Sequence, residues 1–230
     1  MKTGVVIFPG SNCDRDTLYV VENILGHEAI PLWHKETDLK GSEFIILPGG
    51  FSYGDYLRSG SIASLSPIME EVGRFAKNGG PVLGICNGFQ VLCEAELLPG
   101  ALLHNDHQKF SCKNTHLRVV NENTLFTRGL DKDKAHCFPI AHAEGKFYAP
   151  ADQLKKVWEN GQVIFQYSNS LGEVTSEANP NGSLDNIAGV CNEEGNVFGM
   201  MPHPERASDP VLGNTDGQEL FKSFYEKALV

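Results

Sequence analysis

Short apolar runs that stop at glycine or proline, separated by stretches with helical spacing, set the tightest limit on what this chain folds into. Val5-Val6-Ile7-Phe8 stops at Pro9-Gly10, and Phe44-Ile45-Ile46-Leu47 stops at Pro48-Gly49-Gly50. Val82-Leu83-Gly84-Ile85 leads straight into Cys86-Asn87-Gly88. Runs this short and this apolar read as strands buried on both faces. Between them, Leu18, Val21, Ile24 and Leu25 recur at helical spacing up to Gly26, and Ile68, Val72 and Phe75 do so up to Gly79-Gly80-Pro81. Phe89, Val91, Leu92 and Ala95 predict another helix directly after the third strand. Alternation of this kind implies a largely parallel sheet flanked by helices.

The second half reads as strand-rich, with segments near 117–120, 136–141, 163–167, 187–191 and 197–200 and few helices between them. Asn192 to Asn196, with Gly195, predicts a hairpin loop, and Leu220, Phe221, Phe224 and Ala228 predict a closing amphipathic helix. At 230 residues the expectation is one α/β domain spanning 1–230. The Val5–Phe8 run is too short for a signal-peptide core, and nothing approaches a span of about 18 apolar residues. The formal net charge of −10 argues against nucleic acid or an anionic membrane surface as a partner. Six cysteines (13, 86, 93, 112, 137 and 191) form no C-x-x-C pair, which suits reduced thiols in a cytoplasmic protein and no metal site.

One cysteine is placed for chemistry. Gly84 and Gly88 flank Cys86 at −2 and +2, where strand gives way to helix. Small neighbours there permit a sharp turn that exposes a nucleophile. The turn also puts the thiol at the N-terminus of a helix, whose dipole favours thiolate. The bland alternative is one more small buried residue.

Among eight histidines, His203 stands out in Met201-Pro202-His203-Pro204-Glu205-Arg206. Two prolines restrict the backbone around it. In an extended segment Glu205 would face the same side and orient the ring, the third role in a nucleophile triad. The alternative is a rigid proline loop carrying a surface ion pair between Glu205 and Arg206.

Together, Pro48-Gly49-Gly50, Gly84-Ile85-Cys86-Asn87-Gly88-Phe89-Gln90 and Pro202-His203-Pro204-Glu205 resemble the class I (triad) glutamine amidotransferases, in the family's order. Phe8–Asp14, Pro48–Arg58 and Gly199–Arg206 narrow the resemblance to the branch that serves formylglycinamide ribonucleotide amidation in purine synthesis. The resemblance implies a flavodoxin-like α/β fold with Cys86 as nucleophile, His203 as general base and acid, and Glu205 as orienter. It further implies an oxyanion hole from the backbone N–H groups of Gly50 and Asn87, and substrate contacts from Gln90, Gly49, Ala143 and Glu144. Ala143 stands where that branch has glycine, and its methyl would crowd glutamine or demand a modest shift.

The implied reaction releases ammonia from L-glutamine through a cysteine thioester. No metal or organic cofactor is implied on this chain; ATP and Mg belong to a synthetase partner, joined by a small accessory subunit. Phe51 to Gly60, with Tyr53, Tyr56 and Arg58, reads either as a partner contact or as a packed structural loop. Rival readings are another thiol hydrolase, a glutaminase serving a different acceptor, and a non-catalytic docking subunit. The five cysteines other than Cys86 read as structural.

Overall fold

The structure, a computed structural model, describes residues 1–227; Ala228 of the expected closing helix lies outside the described residues. In chain order the first half runs β1 (Lys2–Ile7), α1 (Asp14–Tyr19), β2 (Glu28–Trp33), β3 (Phe44–Leu47), α2 (Pro67–Lys77), β4 (Val82–Ile85) and α3 (Asn87–Glu94). The second runs β5 (Ala101–Leu103), β6 (Ser111–Val119), β7 (His136–His142), β8 (Lys146–Tyr148), α4 (Ala151–Glu159), β9 (Val163–Ser168), β10 (Ile187–Cys191), β11 (Val197–Met200) and α5 (Asp216–Lys227).

Nine strands form one sheet in the order β2-β1-β3-β4-β11-β10-β9-β6-β7, and β5 and β8 pair separately. Neighbours from β2 to β11 pair in parallel, as the alternation of apolar runs and helices implied. From β11 through β10, β9, β6 and β7 every pairing is antiparallel, so the strand-rich second half extends the same sheet. The hairpin at 192–196 closes with Asn192 N–H donating to the Val197 carbonyl at 3.0 Å, and Gly195 takes the left-handed turn position.

Burial explains why some elements were legible and others were not. β3, β4 and β11 lie inside the sheet with every residue buried, which makes them unbroken apolar runs. β2 is an edge strand in which only Ala29 and Leu32 are buried, and it contains Pro31, which has no N–H for a further neighbour. That composition hid it. The helix α4 was missed because only Val157 among its residues is fully buried, leaving a thin apolar stripe. The helix begun by α1 continues as a wider π turn over Val20–Ile24 before Gly26 ends it.

Aromatic packing ties the closing helix to the sheet. Phe224 of α5 packs at a tilt against Phe44 of β3 with ring centroids 4.0 Å apart, and Phe126 bridges Phe224 and Phe198 of β11. Burying each ring contributes about 2–3 kcal/mol before entropy is counted. This core holds β3, β4 and β11 as adjacent parallel strands, so residues 48–50, 86 and 203 emerge at neighbouring carboxyl ends. Carboxyl ends of parallel strands are where α/β sheets place their sites.

Candidate active site

Cys86 occupies the turn from β4 into α3 with φ +50° and ψ −105°, a conformation costly for a residue with a Cβ. Its N–H donates to the Met200 carbonyl at 2.8 Å, and its carbonyl accepts the Gln90 N–H at 3.1 Å, so both sides of the turn are pinned. The flanking glycines are sterically required. A Cβ on Gly88 would overlap the Leu47 carbonyl oxygen, and one on Gly84 would stand 2.6 Å from Leu92 Cδ1. Crowding of α3 against β3 at Gly88 and against β4 at Gly84 therefore forces the G-x-C-x-G pattern.

His203 follows β11 and is 1% exposed. Its N–H donates to the Pro139 carbonyl at 2.8 Å. Its Nδ1 lies 2.6 Å from Glu205 Oε1, and Glu205 is itself 2% exposed. Glu205 reaches the ring through a 3₁₀ turn over Pro204–Ala207, so the extended geometry expected for this segment is corrected to a tight turn. Nor does Glu205 pair with Arg206, whose Nε donates to Asp16 Oδ2 at 3.2 Å. Burial alone would lower the His203 pKa, but the Glu205 carboxylate and Cys86 outweigh it and hold the imidazolium well above the usual histidine range. Nε2 has no hydrogen-bond partner among the described residues, and it is the ring atom left for proton transfer.

Gly49 presses against this ring: a Cβ there would lie 2.7 Å from His203 Cε1. Gly50, at φ +147°, packs against the backbone of Ser11 and Asn12, where a Cβ would come within 2.7 Å of Ser11 Cα. Asn87 opens α3, so its backbone N–H is one of those a helix leaves unpaired at its start. Its side chain braces the wall: Oδ1 accepts the Ser52 N–H at 3.1 Å and Nδ2 donates to Gln90 Oε1 at 2.9 Å. Gln90 in turn donates through Nε2 to the Glu144 carbonyl at 2.6 Å. Ala143 is exposed and has no positive φ, so alanine fits this backbone without strain.

Two cavities of about 50 and 190 Å³ adjoin Cys86. Gly50, Gln90, Ala143 and Glu144 line the smaller, and His203 and Gly50 line the larger. A wider groove of about 860 Å³, bordered by Lys77, Glu96, Gln153 and Asn196, lies elsewhere and lacks a nucleophile–base pair.

Some groups at the site were not assigned from sequence. Cys13, read as structural, is 2% exposed and lies beside His203, with the Arg206 guanidinium donating to its Sγ at 3.0 Å. Burial raises its pKa, partly offset by His203. Cys13, His203 and Glu205 bring donor atoms within 4.8 Å of one another, but His203 Nδ1 and Glu205 Oε1 are spent on each other. Asp55 and His142 also reach the smaller cavity. Asp55 stands in the Pro48–Arg58 motif, so its position was visible although its role was not. His142 directly precedes the Ala143 and Glu144 contacts, so its position was visible as well, although its role was not.

Adjacent parallel strands that deliver a strained cysteine elbow and a buried His–Glu pair to one cavity define the glutamine amidotransferase class. The chain belongs to that family: the CobB/CobQ-like glutamine amidotransferase domain matches residues 1–226. A Chlorobaculum parvum protein named phosphoribosylformylglycinamidine synthase subunit PurQ is 55% identical over 225 residues, covering 98% of this chain and 89% of that protein. A Nostoc protein of the same name is 54% identical over 229 residues, covering 100% and 99%. Among solved structures, a chain of the Thermotoga maritima PurLQS structure superposes with a TM-score of 0.86 at 42% identity, covering 99% of this chain and 98% of that one.

Proposed function

We propose that the chain is the glutaminase subunit of a phosphoribosylformylglycinamidine synthase, acting as one domain in the cytoplasm. The observation that carries the reading is that Cys86 and His203, distant in sequence, line one cavity with Gly50, while Glu205 holds the His203 ring from behind. The names of the full-length relatives supply the pathway.

The Cys86 thiolate attacks the side-chain amide carbon of L-glutamine, and charge moves onto the carbonyl oxygen. Backbone N–H groups of Gly50 and Asn87 receive that charge, and losing one such donor typically costs on the order of 10²–10³ in rate. His203 donates a proton to the departing ammonia, then takes one from the water that hydrolyses the γ-glutamyl thioester. Glu205 fixes the ring and stabilises the imidazolium. Gly49 leaves room for that ring. Gln90, through the Glu144 carbonyl, sets the substrate wall formed by Ala143 and Glu144. No metal or organic cofactor takes part on this chain.

Ammonia passes to a synthetase subunit that uses ATP and Mg to convert formylglycinamide ribonucleotide to the amidine, with a small accessory subunit completing the assembly. The loop over 51–60 is the docking edge, since Phe51, Tyr56 and Leu57 are exposed beside the cavity. The test is glutamate release by the wild type and Cys86→Ala, alone and with synthetase, ATP and formylglycinamide ribonucleotide. Release that requires Cys86 and rises with the partner system is expected. Equal release from both proteins, or none in either setting, overturns the reading.

A further inference from the structure

The Phe8–Asp14 segment contributes no member of the triad or of the oxyanion hole, yet it delivers Cys13 to the triad's base. The turn after β1 is laced to the loop that follows β3. Cys13 N–H donates to the Gly49 carbonyl at 3.3 Å, and Phe51 N–H donates to the Gly10 carbonyl at 3.1 Å. The Cys13 carbonyl accepts the N–H of Thr17 at 3.0 Å and its hydroxyl at 2.9 Å, and Thr17 is buried. Cys13 is therefore fixed by its backbone, and a side-chain substitution other than proline leaves these bonds in place.

Held this way, the sulfur meets the His203 ring. A Cβ on Gly49 would stand 2.7 Å from His203 Cε1, 3.3 Å from its Nδ1 and 3.1 Å from Cys13 Sγ. Ring and sulfur thus lie side by side against one glycine. Sγ accepts from the Arg206 guanidinium at 3.0 Å, and the S–H donates to Asn12 Oδ1 at 3.3 Å. Burial raises the Cys13 pKa and keeps the group a neutral thiol. With its proton committed to Asn12, the sulfur turns lone pairs toward the two cations beside it, guanidinium and imidazolium. A soft, uncharged atom suits that position, because a second carboxylate would compete with Glu205 for the ring.

Glu205 holds the ring at one atom, Nδ1. A single hydrogen bond fixes a point, and a ring held there alone can still pivot. Presenting Nε2 to a nucleophile in the same cavity requires a fixed ring plane as well. We infer that Cys13 is a positioning residue for the glutaminase reaction: its sulfur, anchored by Arg206, is the contact that keeps His203 Nε2 aimed at Cys86 and the departing ammonia. The inference rests on the glutaminase reading and adds to it a second support for the base.

The titratable groups that face the ring are Glu205 on its own turn, Cys86 before α3, His142 at the end of β7 and Cys13 after β1. Against burial, which lowers the His203 pKa, Glu205, Cys86 and then Cys13 raise it. The test compares Cys13→Ala, Cys13→Val and Cys13→Ser with the wild type, in the full chain and in the assembled complex with synthetase, ATP and formylglycinamide ribonucleotide. Glutamate release gives kcat and KM, NMR of labelled histidine gives the His203 titration, and thermal unfolding checks the fold. In Cys13→Ala and Cys13→Val kcat falls on the order of 10-fold while KM stays within about twofold, the pattern of a misaimed base. His203 titrates lower in both than in the wild type. Cys13→Ser restores an acceptor at the same place and recovers kcat to within about threefold. Cys13→Val fills the space of the thiol and provides the readout if Cys13→Ala fails to fold. Wild-type kcat in Cys13→Ala and Cys13→Val, a Cys13→Ser no more active than Cys13→Val, or one His203 titration shared by all four proteins would each overturn the inference. A wild type that releases glutamate in neither setting removes the glutaminase reading and this inference with it. An active wild type with indifferent variants removes the inference alone.

Discussion

Replacing Glu205 by glutamine keeps the shape of the side chain and removes its charge. In the folded protein Oε1 lies 2.6 Å from His203 Nδ1 and Oε2 has no partner among the described residues. If the glutamine oxygen keeps the Nδ1–H bond, its NH₂ falls where Oε2 was, buried without an acceptor, at a cost of about 1–3 kcal/mol. If the amide turns over, its N–H faces Nδ1 and forces the proton onto Nε2, which then cannot take one from substrate or thiol. Either outcome deprives the imidazolium of its counter-charge. The corresponding change in serine-protease triads costs about 10⁴ in kcat, and here a fall on the order of 10²–10⁴ is expected, measured as glutamate release.

The same substitution has a pH signature. His203 titrates higher folded than unfolded, so its protonation stabilises the fold. That contribution is complete below the unfolded value of about 6.5 and is lost as pH rises through the folded pKa. In Glu205→Gln the leading opposing influence, burial, is left to lower the pKa. The gap in thermal stability between wild type and variant is therefore widest in mild acid and narrows toward alkaline pH. Wild-type kcat in Glu205→Gln, together with a gap independent of pH, would refute the assignment of Glu205 as orienter.

Gly88→Ala drives a Cβ into the Leu47 carbonyl oxygen, which β3 cannot easily move, so a loss of about 1–3 kcal/mol in urea unfolding is expected; wild-type stability would show that the elbow tolerates a side chain. Brief alkylation of the native protein, mapped by mass spectrometry, labels exposed Cys112 and the cavity-facing Cys86 ahead of Cys93 and Cys191. Burial pushes the Cys191 thiol up to about 11 and raises Cys93 further, so early labelling of either would contradict the packing described.

The sequence by itself determined the strands of the sheet's interior and the order of the chemistry along the chain. β3, β4, β10 and β11 match their expected runs because a strand buried on both faces must be apolar at every position. The cysteine elbow was legible for a similar reason, since the approach of α3 to β4 and β3 admits only glycine at 84 and 88. Edge strand β2 and helix α4 were not legible, because half-exposed elements tolerate polar residues and proline. What the tertiary structure alone decided was neighbourhood. Insertion of β11 beside β4, with Met200 opposite Ile85, brings His203 to Cys86, 117 positions earlier in the chain. The same packing gathers Gln90, Asn87, Asp55 and His142 around Cys86. A side chain's partner in a packed site is set by which strand ends and loops the core holds together, and local sequence carries no record of those distances.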